Sequence, residues 1–346
     1  MRILIIGGAG YVGSVLTREL LERGYTVRVY DRLFFGRRGI ADVEDRIDLM
    51  VGDMRDIPDA AYDDVEAVVN LGGLSNDPTA EYNPKANTAM NTLATRTTAE
   101  AAIRRGIRRY VFASSCSVYY SAAGQEREDL LLSEEAAIDP KAAYSRSKFE
   151  AERALLELSA KHADFCPVIL RKGTVFGFSK RMRYDLVVNT FIKDAIRSGT
   201  ITLHFGGEMW RPLVEVRDAA RAYIACLQSD AKNVKGQIFN VAYRNFRISE
   251  LALRVRESLR ALGVAVDIAP DFEYKGVRSY RVDCGKIRRV LGYEPAVSVE
   301  EAVGAIVREI RANGMTDFDN PVYYNIRWMK LLEETEKVIG ITGKVF

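Results

Sequence analysis

The chain is poor in the residues that build metal sites and covalent staples. Its 346 residues include four cysteines (Cys116, Cys166, Cys226 and Cys284) and two histidines (His162 and His204). The cysteines are dispersed, form no C-x-x-C pair and have no histidine at ligand spacing, which argues against both a zinc site and a disulfide scaffold. Cysteines used this way fit a reducing, cytoplasmic compartment. No apolar run approaches the ~20 residues of a membrane span, and Ile3-Leu4-Ile5-Ile6 stops at Gly7, too early for a signal peptide. Fifty basic residues against 47 acidic ones leave a net charge of +3, so nucleic-acid binding would need a concentrated basic patch. The best candidates, Arg104-Arg105 and Arg108-Arg109, flank a helix end, where cations suit the dipole. No metal, nucleic-acid or membrane partner is expected.

What is present is an alternation of short apolar runs with helical patterns, the sequence form of a parallel sheet with crossover helices. Strands are expected at 2–6, 26–30, 48–51, 67–71, 109–113 and 167–170, and helices at about 12–23, 89–105 and 144–161. The strands are apolar on both faces, so both faces are covered. Beyond residue 170 the pattern loosens. It predicts helices at 186–197, 216–227, 249–262 and 298–313, the last two serine-capped, and strands at 201–205 and 237–241, the latter returning to the sheet. The fold class is therefore α/β, a Rossmann-type doubly wound parallel sheet. Residues 1–170 form its dinucleotide-binding part, with 201–242 partly returning to it, and 171–346 mainly form a smaller, interleaved C-terminal substrate lobe.

Gly7, Gly10 and Gly13 follow a strand and open a helix, the context that turns a glycine pattern into a dinucleotide fingerprint. Tyr11 and Val12 lie in the same turn. Amides at the helix start would face a pyrophosphate. Asp31 closes the second strand where a carboxylate takes the adenine-ribose hydroxyls and repels a 2′-phosphate, which predicts NAD as cofactor. Arg32 beside it is the residue that would suit NADP instead.

Farther along, Tyr144 and Lys148 are four residues apart on a predicted helix and so share a face. A tyrosine near its reference pKa of about 10 is a poor base. A cation ~4 Å away in an effective dielectric of ~20 is worth about 4 kcal/mol, enough to bring the phenol close to neutral pH. Tyr144 thereby becomes a usable proton acceptor.

Taken together these residues resemble the extended short-chain dehydrogenase/reductases, specifically the NAD-dependent nucleotide-sugar epimerase/dehydratase family, over nearly the whole chain. The family's G-x-x-G-x-x-G is Gly7, Gly10 and Gly13, and its G-D-x-x-D is Gly52-Asp53-Met54-Arg55-Asp56, which implies that Asp53 and Met54 line the adenine. Its loop after the fourth strand is similar to Asn70-Leu71-Gly72-Gly73-Leu74-Ser75, with glycines where alanines are usual. This implies cofactor contacts at Leu71, Gly72 and Gly73 and a substrate contact at Ser75. S-S-x-x-V-Y-G matches Ser114-Ser115-Cys116-Ser117-Val118-Tyr119 and then departs, with Tyr120 in place of glycine. Ser115 matches the catalytic serine or threonine. The next two positions carry an Asp-Glu acid–base pair in the family's dehydratases; here Cys116-Ser117 argues against that reaction and leaves Ser117 to the substrate.

Leu170-Arg171-Lys172-Gly173-Thr174-Val175-Phe176-Gly177 resembles L-R-x-x-N-V-Y-G, with Thr174 at the asparagine that often binds a sugar-nucleotide phosphate. By the same likeness Arg211 and Arg278 would fork onto the diphosphate. The resemblance implies a homodimeric enzyme whose partner is a nucleotide-diphosphate sugar. Tyr144 would take the proton of a sugar hydroxyl, Ser115 would hold its oxygen, and Lys148 would serve both the tyrosine and the nicotinamide ribose. The expected reaction is epimerisation, most plausibly at C4. An NAD(P)H-dependent 4-ketoreductase is the alternative. A non-catalytic NAD-binding redox sensor would have no use for the Ser-Tyr-Lys constellation.

Overall fold

The computed structural model of the protein describes residues 1–119, 130–138, 140–273 and 279–344. Tyr120 and Arg278 lie outside the described residues. At the centre are seven parallel strands: β1 (Arg2–Ile6), β2 (Thr26–Asp31), β3 (Asp48–Val51), β4 (Ala67–Asn70), β5 (Arg109–Ser115), β6 (Cys166–Lys172) and β7 (Gln237–Val241). They lie in the order β7-β6-β5-β4-β1-β2-β3. Parallel neighbours need crossover connections, and the crossovers cover both faces of the sheet. Ile3, Leu4, Ile5, Val68 and Val111 are accordingly fully buried, which is why these strands read as unbroken apolar runs.

The longer helices are α1 (Tyr11–Glu22), α2 (Ala94–Arg104), α3 (Ala143–Lys161), α4 (Val187–Ser198), α5 (Val216–Gln228), α6 (Ile248–Ala261), α7 (Val299–Asn313) and α8 (Asn325–Thr342). One face of the sheet is covered by α1 and α5 through Leu16, Leu20, Ala220 and Tyr223. The other face is covered by α2 and α3 through Ala99, Ala102, Ala151 and Leu155. Each fully buried leucine contributes about 1.5–3 kcal/mol over an exposed one. A second core, built on Phe191, Ile192, Phe246, Val255 and Ile306, joins α4, α6 and α7 into the smaller lobe. As expected, residues 237–241 return to the main sheet, Gln237 opposite Val168 and Val241 opposite Lys172.

Three local expectations are corrected. The helix expected over 89–105 is present but not α throughout: a π-turn over Thr88–Leu93, the turn that carries Asn91, precedes α2. Ser298 caps α7 in a full capping box with Glu301, but Ser249 caps nothing. The strand Arg244–Arg247 runs straight into α6, and Arg247 stands at the cap without a side-chain bond. Finally, α8 was not foreseen. Only Asn325 and Met329 of it are buried, whereas Leu331, Val338, Ile339 and Ile341 are exposed, so it carries no clean apolar stripe to read.

Candidate active site

The strand order reverses where β1 lies between β2 and β4, the switch point at which doubly wound sheets bind ligands. A cavity of about 1320 Å³ opens at the carboxyl ends of the strands there. The chain enters it through the turn between β1 and α1. Gly7 has φ +83°, which glycine adopts without strain. A Cβ on Gly13 would stand 2.2 Å from the Gly7 carbonyl oxygen, so only glycine lets α1 press this close to the preceding turn. Gly10, Tyr11, Val12 and Gly13 line the cavity; the Gly10 amide closes the turn onto the Gly7 carbonyl (3.2 Å), and the next amides, at the α1 start, have no partner within the helix, the arrangement that holds phosphate.

Asp31 ends β2 at the rim. Its carboxylate accepts from the amides of Ala9 (2.9 Å) and Leu33 (2.8 Å). Burial pushes this carboxyl up, and those amide bonds pull the other way. Arg32, which could have welcomed a 2′-phosphate, is 3.3 Å from the Asp53 carboxylate instead. The hydrogen bonds of Arg55 are the main reason that the Asp53 carboxyl lies below its ordinary range, and Arg32 adds to them. Met54, Leu71, Gly72 and Gly73 complete this end of the cavity. The glycine at 73 has a local cause: a Cβ there would sit 2.1 Å from Asn91 Oδ1.

Asn91 is a residue that the sequence reading missed. From the π-turn it accepts from the Leu74 amide (2.8 Å) and donates to the Leu74 carbonyl (2.9 Å) and Ser147 Oγ (3.1 Å). It thus ties the loop after β4 to α3, close to Tyr144. π-turns often mark functional sites for this reason.

Ser115 ends β5 and lies opposite Lys172 in the β5–β6 register. Tyr144 and Lys148 rise from the first two turns of α3. All of them line the cavity. The Ser115 hydroxyl oxygen accepts from the Ser117 amide at 3.2 Å, so its own hydrogen can be donated to a ligand oxygen. Lys148 is 4% exposed, with Nζ 4.9 Å from the Phe112 ring centroid and 6.0 Å from that of Tyr144. Burial pulls this lysine down to about 8, opposed by Glu152.

Lys172, quoted in the sequence only as part of a motif, is a second lysine in the cavity. Its Nζ donates to the Ser114 carbonyl (3.2 Å) and the Tyr223 hydroxyl (2.8 Å). Burial, and then the like charge of Lys148, bring it down to about 7. A second basic residue, after Arg171, at the end of an apolar run was the signal available in the sequence.

Of the expected substrate contacts, Ser75, Ser117, Thr174 and Arg211 all line the same cavity. Ser75 Oγ meets Arg183 (3.3 Å) and Asn325 (2.9 Å). Arg211 donates to the Trp210 carbonyl at 2.9 Å and stands 5.7 Å from the Tyr280 ring centroid. Cys116 is turned away: it is fully buried, and its thiol donates to the Arg171 carbonyl. Burial raises the thiol far above its ordinary pKa.

A glycine turn opening on helix amides, an acid closing β2 and a Ser-Tyr-Lys group at the end of β5 and the start of α3 define an NAD-dependent enzyme of the doubly wound class. The model of the NAD dependent epimerase/dehydratase family matches residues 3–242, and the chain belongs to that family. It is 28% identical over 309 residues to UDP-glucuronic acid decarboxylase 1 of Danio rerio, covering 89% of this chain and 72% of that protein. It is 26% identical over 319 residues to a putative UDP-glucose 4-epimerase of Methanocaldococcus jannaschii, covering 91% of this chain and all of that one. Among solved structures it superimposes on DesIV, a dTDP-glucose 4,6-dehydratase from Streptomyces venezuelae with NAD and TYD bound, with a TM-score of 0.79. The identity there is 26%, over 92% of this chain and 99% of the other.

Its cofactor is therefore NAD, and the glycine cradle and Asp31 fit that group. NAD is expected to bind at least about tenfold tighter than NADP, a difference of ~1.4 kcal/mol, and Asp31→Ala should narrow the gap. Parallel titrations of both dinucleotides check this. Equal binding by the unaltered protein would deny Asp31 its discriminating role.

Proposed function

We propose that the protein is an NAD-dependent nucleotide-sugar epimerase acting at C4 through transient oxidation to a keto sugar. The observation that carries this reading is the meeting of Ser115, Tyr144 and Lys148 in one cavity where positions 116 and 117 offer no acid–base pair. Tyr144 as phenolate takes the proton of the C4 hydroxyl, Ser115 donates to the same oxygen, and the Lys148 ammonium steadies the phenolate. The glycine turn and Asp31 would hold NAD, which would supply the hydride chemistry at C4 in both directions. On the return, Tyr144 gives its proton back to the oxygen. Thr174 and Arg211 would hold the diphosphate, with Ser75 and Ser117 along the sugar. The likeness to the archaeal putative 4-epimerase supports this reading.

An epimerase regenerates its oxidised cofactor in every cycle. Purified protein should carry bound nicotinamide cofactor and convert at least one of a panel of nucleotide sugars, including UDP-glucose and UDP-glucuronate, to its C4 epimer without added NADH. Nuclear magnetic resonance of the products and absorbance of reduced cofactor provide the readout. A stoichiometric need for NADH or NADPH with a 4-keto sugar would make the protein a ketoreductase. Carbon dioxide release from UDP-glucuronate would place it with the decarboxylases it resembles, since a 4-keto group lies β to the C6 carboxylate and makes it a leaving group.

A further inference from the structure

Arg181 is a cation that the catalytic reading leaves unused. It is 5% exposed and lines the cavity. Its guanidinium stacks 3.5 Å from the Phe35 ring centroid, and Nη2 donates to Asn325 Oδ1 at 2.6 Å. Nε and Nη1 have no hydrogen-bond partner among the described residues. Burying an arginine with donors unmet is costly, so the free edge calls for a polar partner. Burial, and then Arg183, which is itself engaged with Asp185, pull this guanidinium down to about 9.

The backbone around Arg181 shows which end of the cavity it serves. Ser179 Oγ donates to the Tyr11 carbonyl (2.8 Å) and lies 2.7 Å from Ser14 Oγ. The Tyr11 hydroxyl donates to the Gly177 carbonyl at 2.7 Å. The segment is thus fastened to the first turn of α1. Gly39 closes the gap: a Cβ on it would stand 2.3 Å from the Ala9 carbonyl oxygen and 3.3 Å from Arg181 Cβ. Arg181 therefore stands beside the turn that opens α1, whose Tyr11, Val12 and Gly13 amides face the phosphate site, whereas Arg211 and Thr174, the expected contacts of the sugar nucleotide, lie on the strands Trp210–Glu215 and Thr174–Phe176.

We propose that Arg181 clamps the diphosphate of the bound dinucleotide, with Asn325 as its positioning residue. Asn325 Nδ2 also donates to Ser75 Oγ, so the start of α8 is keyed to the same clamp. A guanidinium held over the Phe35 ring, with one nitrogen fixed by Asn325 and Nε and Nη1 without a partner, suits two phosphate oxygens. The inference rests on NAD as cofactor and is independent of which sugar is turned over.

Calorimetric titrations of NAD, ADP-ribose, adenosine and UDP into Arg181→Gln test it. Losing one charge-assisted contact should weaken NAD and ADP-ribose about 10- to 100-fold. Adenosine and UDP should bind as before, and Arg181→Lys should recover part of the loss. The melting temperature without ligand should hold or rise in Arg181→Gln, because an unmet buried charge is gone, while the increment gained on adding NAD shrinks. If UDP weakens and NAD does not, the arginine serves the nucleotide sugar and the proposal fails. It also fails if all four ligands bind as to wild type, or if adenosine weakens as much as NAD, which would report a distorted pocket. Should Arg181→Gln not fold, Asn325→Ala is read by the same titrations: a several-fold loss for NAD and ADP-ribose, with adenosine and UDP unchanged, supports the clamp, and unchanged NAD binding overturns it.

Discussion

Replacing Tyr144 with phenylalanine is expected to lower turnover by about 10²–10⁴-fold, the range that a positioned general base contributes. The change removes one hydroxyl and leaves the ring, so the fold and NAD affinity should stay within a few fold of wild type. Steady-state kinetics with a nucleotide sugar, together with NAD titration of the same preparation, separate the two effects. Turnover within a few fold of wild type would remove Tyr144 from the chemistry. Lys148→Ala should behave differently, losing turnover and NAD affinity together. Its Nζ lies near the Tyr144 ring in the cavity, and the same ammonium would serve the nicotinamide ribose.

The elements that were legible in the sequence are those whose pattern has one physical cause. The inner strands of the sheet are buried on both faces and so apolar, and they, with the partly buried edge strand β3, could be placed to within a few residues. Gly7 and Gly13 announce themselves because no other residue fits a left-handed turn pressed against a helix. Tyr144 and Lys148 were legible through their helical spacing only when read together with the glycine-rich opening of the chain.

What escaped depends on distant partners. Arg181 and Asn325 are 144 residues apart in the chain, and neither has a local signature. Asn91 looked like one more helical residue, and only its bonds to Leu74 and Ser147 give it a role. Of the two basic pairs, Arg104-Arg105 stands at the end of α2 as expected, but Arg109 opens β5. Arg109 reaches across to the carbonyls of Cys226 and Ser229 at the end of α5, and Arg105 pairs with Asp63.

Arg171 was also seen only as part of a motif, yet removing it should produce the largest loss of stability. Arg171 and Glu152 are 2% and 1% exposed. The guanidinium meets the carboxylate through Nε (3.0 Å) and Nη2 (2.6 Å), and Nη1 donates to the Tyr119 hydroxyl at 2.8 Å. Burial opposes the charge on Arg171, but its hydrogen bonds to Glu152 and the carboxylate's charge, with help from Tyr119, together outweigh that and leave the guanidinium above its ordinary pKa.

Arg171→Met would strand a carboxylate in the interior, at a cost of about 3–5 kcal/mol. In denaturant titration this is a loss of roughly two to three and a half decades in the folding constant. Replacing both partners by apolar residues should cost less than Arg171→Met alone, because no charge is then left unpaired. The pair also has a catalytic consequence. Glu152 accepts from Ser114 Oγ, one residue before Ser115, and sits on α3 one turn beyond Lys148. It therefore sets the register of the helix carrying Tyr144 against the strand carrying Ser115. Any double variant that regains stability should still turn over more slowly than wild type, with NAD affinity nearly unchanged. Full activity in such a variant would mean that packing alone holds α3 in place.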